Sequence, residues 1–304
     1  MSAAGASKNP ALVTFIGVGL MGGAMAANLL ARGWGVEVCD LDPCRVQSLQ
    51  QAGATVLPTP SHAAAGSEAV IICVVDAAQT AEVLFGAGGL QASLRPGQTV
   101  LLCPTIAPQD TEEFVRRLAA CGIHAIDAPM SGGPARARDG SMSLMLACSP
   151  DLLQQHALLL AALASQIFHI SDKPGDAART KLVNNLLAGI NLVGAAEALA
   201  LAARLGLNLS TTLNVIEQSS GQSWIGSDRM RRAVAGDYQP QARVTLLEKD
   251  TRLALELALS AGGEGPLAAP ASELFRQAHE AGLAELDDAV VFQLLVGRAN
   301  QAAR

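Results

Sequence analysis

The chain has 304 residues, of which 50% are hydrophobic and 16% are charged. A composition this apolar excludes a disordered protein, and the length allows two domains with sizeable cores. The formal net charge of -6 argues against nucleic acid as the main partner, because binding to phosphates requires a basic surface.

The first ten residues, MSAAGASKNP, contain no apolar run, so they predict a flexible tail rather than a signal peptide. The six cysteines form no CxxC pair and the five histidines show no metal-ligand spacing, so neither a disulfide framework nor a metal site is predicted. No stretch of about 18 residues is free of polar groups, so no membrane span is predicted. These features favour a cytoplasmic enzyme or binding protein.

Residues 11–172 alternate strand-like runs with helical patterns. The predicted strands are ALVTFIG, GVEVCD, AVIICVV, QTVLLCP, IHAIDAP, SMSLMLACS and QIFHI, and the predicted helices are LMGGAMAANLLARG, DPCRVQSLQQAG and TEEFVRRLAACG. Repeated strand–helix–strand order predicts a mostly parallel sheet covered by helices on both faces.

Residues 173–304 show helical periodicity only, which predicts a second, all-helical domain for substrate binding and oligomerisation. Its long first helix, predicted over Thr180–Leu207, forms the junction with the first domain. The late helices are more apolar than a domain of about 130 residues needs for its own core, so a homo-oligomer is predicted.

A glycine-rich loop joins the first predicted strand to the first predicted helix. Three glycines spaced GxGxxG allow a tight turn, close approach of the backbone to a pyrophosphate and close packing of the helix on the strand. An ordinary glycine-rich turn is the alternative, which the strand-to-helix context disfavours. The predicted cofactor-binding residues of this loop are Gly17, Val18, Gly19, Leu20, Met21 and Gly22. The predicted fold class is therefore α/β, with a Rossmann-type doubly wound, mostly parallel sheet followed by an all-α C-terminal domain joined by a long helix.

Asp40 ends the second predicted strand, 18 residues beyond Gly22. A carboxylate at this position binds the ribose 2′-hydroxyl and repels a 2′-phosphate, so it predicts NAD rather than NADP. Arg45 leaves NADP use open because a guanidinium can bind that phosphate. The alternative role of Arg45 is that of a solvated helix residue.

The segment DAPMSGGP places Ser131, Gly132 and Gly133 in one turn after a predicted strand. A hydroxyl and exposed backbone N–H groups in such a turn can hold a carboxylate. A simple β-turn is the alternative.

Lys181 and Asn185 lie one turn apart on the predicted long helix, close to its start. The small residues Ala188 and Gly189 continue this face and leave room for a ligand or for a neighbouring helix. A lysine acts as a base near neutral pH only when its pKa lies below the ordinary value of about 10.4. The alternative is a lysine whose stem covers apolar surface while its amine reaches water.

Four motifs in this order resemble the β-hydroxyacid dehydrogenase family, over residues 13–295. They are the cofactor loop GVGLMGGAMAANL, the substrate loop DAPMSGG with Gly140, the helix segment GDAARTKLVNN, and EKDTRLAL near the end of the chain. The resemblance implies that Lys181 is the catalytic acid/base, that the Ser131 turn binds the substrate carboxylate and that Asn185 holds the reacting hydroxyl. It also implies that the cofactor is contacted by Val74, Val75, Thr105 and Lys249. The same resemblance implies a homodimer or a homotetramer.

The implied activity is an NAD-dependent dehydrogenation of a small hydroxy acid. L-threonate is the first expectation, because three further stretches, VVDAAQTAEVLFG, LLAGINLVGAAEALALAARLGL and SSGQSWIGSDRMRRAVAGDYQP, resemble the family members that act on it. 3-Hydroxyisobutyrate and tartronate semialdehyde are the alternatives. Asn184 and Asn185 stand where the L-threonate group often has His and Gln, which bears on the substrate more than on the reaction. A non-catalytic dinucleotide-binding scaffold is the remaining class, and the presence of Lys181 disfavours it.

Overall fold

The computed structural model of the chain describes residues 11–63, 66–263 and 265–302, with residues 298–302 described by their backbone alone. The predicted tail, residues 1–10, lies outside the described residues. The chain divides into two compact units, Met1–Lys181 and Leu182–Arg304, and the boundary lies inside one long helix. The domain bounds predicted from the sequence, 11–172 and 173–304, place the division before that helix and stay a prediction.

Unit 1 is built around one sheet. Its strands are β1 (Leu12–Ile16), β2 (Gly35–Cys39), β3 (Thr55–Val56), β4 (Ala69–Ile72), β5 (Thr99–Leu102), β6 (His124–Asp127), β7 (Met130–Ser131), β8 (Ser143–Ala147) and β9 (Gln166–Ser171). Its helices are α1 (Leu20–Ala31), α2 (Pro43–Gln51), α3 (Ala77–Phe85), α4 (Pro108–Ala120), α5 (Gly133–Asp139), α6 (Pro150–Gln155) and α7 (Ala157–Leu163), with single 3-10 turns at Pro60–His62 and Leu90–Ala92.

The strand order is β3-β2-β1-β4-β5-β6-β8-β7, with β9 paired to β8. The six strands β1 to β6 all run parallel to one another. Strands β6 and β7 each pair antiparallel with β8, and β9 pairs parallel with β8. The predicted Rossmann-type, mostly parallel sheet is therefore confirmed. The order reverses between β1 and β4, and in open α/β sheets a ligand binds outside the carboxyl ends of the strands at such a point.

Apolar residues cover both faces of the sheet. Met25 and Leu29 of α1 are fully buried together with Leu159 and Leu160 of α7. Leu84, Phe114 and Leu118, from α3 and α4, are buried in a second cluster. Burial of each such large side chain contributes about 1.5–3 kcal/mol to folding, so both layers fix the sheet beneath the glycine loop.

The second unit is helical. The long helix α8 (Asp176–Arg204) enters it from unit 1, and the further elements are α9 (Leu209–Glu217), α10 (Trp224–Val234), α11 (Val244–Ser260), α12 (Ala268–Ala278), a π-helical turn (His279–Leu283), a 3-10 turn (Asp288–Val290) and α13 (Val291–Ala302). Its core is formed by buried residues of several helices, among them Leu192, Leu199, Met230 and Phe275.

By length and composition alone, α8 is a helix that could cross a membrane, although a core helix of a soluble protein meets the same criteria. A polar or ionisable residue inside a bilayer is expensive, and α8 carries Lys181 and Asn185. Both side chains are buried against protein. These two side chains argue against a membrane span, and 33% of the most apolar stretch of α8 is buried within the chain.

Candidate active site

The glycine loop occupies the turn between β1 and α1. Gly17 has φ +88°, and a Cβ atom there would lie 2.8 Å from the Cys73 carbonyl oxygen. A Cβ on Gly22 would lie 2.1 Å from the carbonyl oxygen of Gly17, so only glycine allows α1 to approach the turn. Gly19 is different, since the atom nearest to a Cβ added there would be the Arg45 Nη1 at 3.8 Å. The open space at Gly19 fits the role of the second glycine, where a pyrophosphate approaches the backbone.

Asp40 follows β2 and lies against this loop. Its Oδ2 accepts the backbone N–H of Val18 at 2.7 Å, and its Oδ1 accepts that of Asp42 at 2.9 Å. The Arg45 guanidinium is about half exposed, with Nη1 3.7 Å from Asp40 and Nε 3.3 Å from Asp42. Asp40, which is predicted to bind the adenosine ribose, is thus in contact with the glycine loop. Arg45 forms ion pairs with Asp40 and Asp42 in addition to its contact with solvent.

The other predicted cofactor contacts follow the carboxyl ends of the neighbouring strands. Val74 and Val75 come after β4, and a Cβ on Gly17 would lie 3.1 Å from the Val74 Cγ1. The backbone N–H of Val75 donates to the side chain of Gln79 at 3.1 Å. Thr105 follows β5 and is half-buried. Strands β1, β4 and β5 are adjacent and parallel, so the loop, both valines and Thr105 lie at one edge of the sheet.

The Ser131 turn is shaped by glycines. Ser131 ends β7, and Gly132 and Gly133 have φ values of +128° and +74°, which favour glycine. The turn runs directly into α5, a seven-residue helix, whereas the sequence predicts only a turn. Gly140 ends α5 with φ +79°, and a Cβ there would lie 2.7 Å from the Arg32 side chain. The substrate-loop glycines are therefore required by the backbone path.

Lys181 is buried, with 7% of its surface exposed. The structure begins α8 at Asp176, so Lys181 is the sixth residue of the helix and lies in its second turn. Its predicted position in the first turn is wrong, because the Asp127 carboxylate caps the helix one turn earlier. Asp127 Oδ2 accepts the backbone N–H groups of Gly175 at 3.0 Å and of Ala178 at 3.1 Å.

Asn185 lies in the part of α8 that belongs to unit 2. Its Nδ2 donates to Asp250 Oδ2 at 2.6 Å, and its Oδ1 accepts from Asn184 Nδ2 at 2.9 Å. Lys249 Nζ lies 2.8 Å from Asp250 Oδ1. Asp250 is buried and joins Asn185 to Lys249. No role for Asp250 follows from the sequence alone, although this residue stands in the motif EKDTRLAL.

The small face of α8 beyond Asn185 receives another helix. A Cβ on Gly189 would lie 2.6 Å from the Thr251 Cγ2 of α11. The space predicted for a ligand or a neighbouring helix is thus filled by α11 at Gly189. Glycine at this position allows the two helices to approach closely.

The segment SGQSWIGSDRM begins α10. Ser223 caps this helix by accepting the backbone N–H of Gly226 at 3.1 Å. Trp224, the first residue of α10, is 52% exposed. Arg229 is buried and donates to Asp288 at 2.5 Å, so its guanidinium is committed to an internal ion pair. Within residues 11–63, 66–263 and 265–302, no group of three or more His, Cys, Asp or Glu side chains could hold a metal ion.

Family models match both parts of the chain. The NAD binding domain of 6-phosphogluconate dehydrogenase matches residues 12–171, and the model described as NAD-binding of NADP-dependent 3-hydroxyisobutyrate dehydrogenase matches residues 175–295. Fold and glycine loop together define a nicotinamide-dinucleotide-dependent oxidoreductase.

Characterised relatives narrow that class. The chain is 36% identical to L-threonate dehydrogenase of Cupriavidus necator over 282 residues, which cover 93% of this chain and 95% of the relative. It is 36% identical to 3-hydroxyisobutyrate dehydrogenase of Pseudomonas aeruginosa over 271 residues, 86% of this chain and 90% of the relative. The crystal structure of 3-hydroxyisobutyrate dehydrogenase from Salmonella typhimurium superimposes with a TM-score of 0.88 at 34% identity, covering 93% of this chain and 99% of that chain. The chain belongs to the β-hydroxyacid dehydrogenase family, and it is a dehydrogenase of hydroxy acids.

Proposed function

We propose that the protein is an NAD-dependent L-threonate dehydrogenase in which Lys181 is the general acid/base. The observation that carries the proposal is a buried lysine, one helical turn before a buried asparagine, in a chain with a complete dinucleotide loop. The nearly full-length similarity to an L-threonate dehydrogenase supports the substrate.

Each predicted residue has a chemical task in this proposal. The Ser131 hydroxyl and the backbone N–H groups of Gly132 and Gly133 hold the substrate carboxylate. Asn185 orients the reacting hydroxyl, and its amide is fixed by Asp250 at 2.6 Å. Neutral Lys181 accepts the hydroxyl proton at Nζ as the C–H bond breaks, and in the reverse direction the ammonium returns it. When bound, NAD supplies the acceptor for the hydride.

Burial explains why a lysine suits this task. Removal from water disfavours the charged form of an amine, so a buried lysine is available as a base at lower pH than an exposed one. Proton transfer by a positioned group typically contributes about 10²–10⁴-fold to the rate, and fixing substrate and base together contributes further. Asp40, Val18 and the glycine loop hold the adenosine end, with Val74, Val75, Thr105 and Lys249 as further cofactor contacts.

The proposal is tested by initial rates of NAD reduction at alkaline pH with L-threonate, D-threonate, D-erythronate, 3-hydroxyisobutyrate, D-glycerate and L-serine. We expect the largest kcat/KM for L-threonate with NAD. A preference for 3-hydroxyisobutyrate would be consistent with the same mechanism but would contradict L-threonate as the substrate. It would point to Asn184 and Asn185 as the residues that change the substrate preference. Reduction of tartronate semialdehyde by NADH is assayed in the reverse direction. Binding of NADH without turnover on any acid would establish the scaffold class instead.

The cofactor preference gives a second prediction. Asp40→Asn is expected to raise the ratio of kcat/KM for NADP to that for NAD at least about tenfold. The reason is that two like charges about 4 Å apart repel by about 1–4 kcal/mol near a protein surface, and the neighbouring Arg45 guanidinium then faces the phosphate. Steady-state kinetics with both cofactors measures the ratio. Arg45→Gln added to Asp40→Asn removes the gain, whereas an unchanged ratio in Asp40→Asn would show that Asp40 does not select the cofactor.

Assembly and location belong to the same proposal. Val183, Leu187 and Leu201 of α8 are large apolar residues exposed in the single chain. Contiguous exposed apolar surface is typical of an interface between subunits. A homodimer or homotetramer would cover this surface, and the cytoplasm is the proposed location. Light scattering coupled to gel filtration decides between the two states, and a monomer at micromolar concentration would contradict both.

A further inference from the structure

We propose that Asp127 is a positioning residue for the catalytic lysine, because one buried carboxylate ties the strand that leads to the Ser131 turn to the first turn of α8. The inference rests on the proposed role of Lys181 and goes beyond it. Asp127 is the last residue of β6, four positions before Ser131. It reaches across 48 and 51 positions of sequence to the backbone of Gly175 and Ala178.

The geometry is that of a helix cap supplied from elsewhere in the fold. Both N–H groups donate to the same oxygen, Oδ2, at 3.0 and 3.1 Å. The first N–H groups of a helix have no partner within the helix, and a carboxylate also suits the positive end of the helix dipole. Lys181 follows Ala178 by three residues, so the cap fixes the turn that directly precedes the lysine.

The cap is buried as well as remote in sequence. Asp127 is 2% exposed, and burial raises its pKa to about 6, against the lowering effect of the N–H donors. The carboxyl is therefore ionised at the alkaline pH of the dehydrogenase assay. At an exposed helix start, water can accept the free backbone N–H groups. At this buried start, the Asp127 carboxylate accepts them instead.

The charged and titratable groups around Asp127 come from three elements. Asp176, at the start of α8, acts on it with a like charge. Arg179 of the same helix is paired with Asp176 at 3.1 Å and with Glu112 of α4 at 2.5 Å. Cys103, after β5, has its own pKa raised, mainly by its contact with Cys73 and by burial, and to a smaller extent by the charge of Asp127. Because Arg179 is bound to other carboxylates, the N–H groups of α8 are what stabilises Asp127 in its ionised form.

A positioning role differs from a merely structural one in what it does to the reaction. The carboxylate fixes the turn of α8 that precedes Lys181 relative to the strand that leads to the Ser131 turn. In addition, a negative charge favours the ammonium form of a lysine that lies near it. Loss of the cap would displace the base from the substrate hydroxyl, and a displacement of about 1 Å can lower a rate by two orders of magnitude.

The experiment compares Asp127→Ala, Asp127→Asn and the control Asn208→Ala. Asn208 caps α9 by accepting the backbone N–H of Thr211 at 2.8 Å, so its variant removes a helix cap outside the proposed machinery. Asp127→Ala is expected to lower kcat at least about tenfold with less than threefold change in the KM for NAD. Asp127→Asn retains an acceptor oxygen, so we expect it to restore most of kcat. Because it lacks the charge, we expect the rising limb of its kcat/KM profile to move to lower pH.

Amide hydrogen exchange over residues 175–181 provides a readout independent of activity. Exchange there is expected to accelerate in Asp127→Ala and to stay unchanged in Asn208→Ala. The inference is overturned if Asp127→Ala keeps kcat within threefold of the wild type, or if its loss matches that of Asn208→Ala. It is also overturned if the pH profile of Asp127→Asn coincides with that of the wild type. If Lys181 is not the catalytic base, the Lys181→Ala variant retains its turnover. That result would contradict the proposed function, and it is distinct from the outcomes that contradict the role of Asp127 alone.

Discussion

Lys181→Ala is expected to lower kcat for hydroxy-acid oxidation at least about 100-fold while the fold remains intact. The alanine variant has no group that can accept the hydroxyl proton as the hydride leaves. The KM for NAD is expected to change little, since the predicted cofactor contacts lie on other residues. Steady-state rates, circular dichroism and a thermal melt measure the three quantities on the same preparation.

Lys173 provides the matched control, because it is an exposed lysine in the segment before α8. Lys173→Ala is expected to leave kcat unchanged. Small primary amines added to Lys181→Ala are expected to restore part of the rate, because they can occupy the space of the missing side chain and accept the proton. Turnover of Lys181→Ala within a few-fold of the wild type would remove this residue from the mechanism.

The parts of the site that depend on local backbone geometry are those that the sequence predicts well. Gly17 and Gly22 occupy positions where a side chain would collide with the backbone. Their spacing in the sequence therefore predicts the turn. Asp40 is predictable for a similar reason, since it directly follows the strand next to that turn and accepts the backbone N–H of Val18. The alternation of strands and helices likewise predicts the parallel sheet, because it follows from local periodicity.

Contacts between distant segments are not visible in such patterns. The sequence does not predict that Asp127 caps α8, and the predicted start of α8 is consequently one turn too late. The bond between Asn185 and Asp250 spans 65 positions and is equally hidden. Very short elements are also missed: β7 has two residues and α5 has seven, too few to display a period. Tertiary pairing, rather than propensity, decides these elements.

The burial of Trp224 and Arg229 is not predicted by the type of residue at these two positions. Tryptophan is highly buried on average, yet Trp224 is 52% exposed at the start of α10. Its neighbour Arg229 is buried instead, where it pairs with Asp288. The pairing compensates the charge of the guanidinium, which no property of the segment SGQSWIGSDRM alone reveals.

Gly19→Ala and Gly22→Ala are expected to fail in different ways, although both replace a glycine of one loop. Gly19 has open space beside it, with the nearest atom to an added Cβ at 3.8 Å, so the free protein accepts alanine there. The methyl group occupies the space through which a pyrophosphate approaches the backbone. We therefore expect the Kd for NADH to rise at least about tenfold while the Tm stays within about 2 °C of the wild type, since no packing contact changes.

Gly22→Ala places its Cβ 2.1 Å from the carbonyl oxygen of Gly17, so the turn or α1 must move. Overpacking of this kind lowers the free energy of unfolding by about 1–3 kcal/mol, and dinucleotide binding is lost together with stability. Gly194→Ala serves as the control, because this α8 glycine has nothing within 4 Å of an added Cβ and alanine is the better helix former. Fluorescence titration with NADH and thermal melts on all three variants separate the two effects. Equal losses of Tm in Gly19→Ala and Gly22→Ala would show that the second glycine is needed for folding of the loop rather than for access of the pyrophosphate.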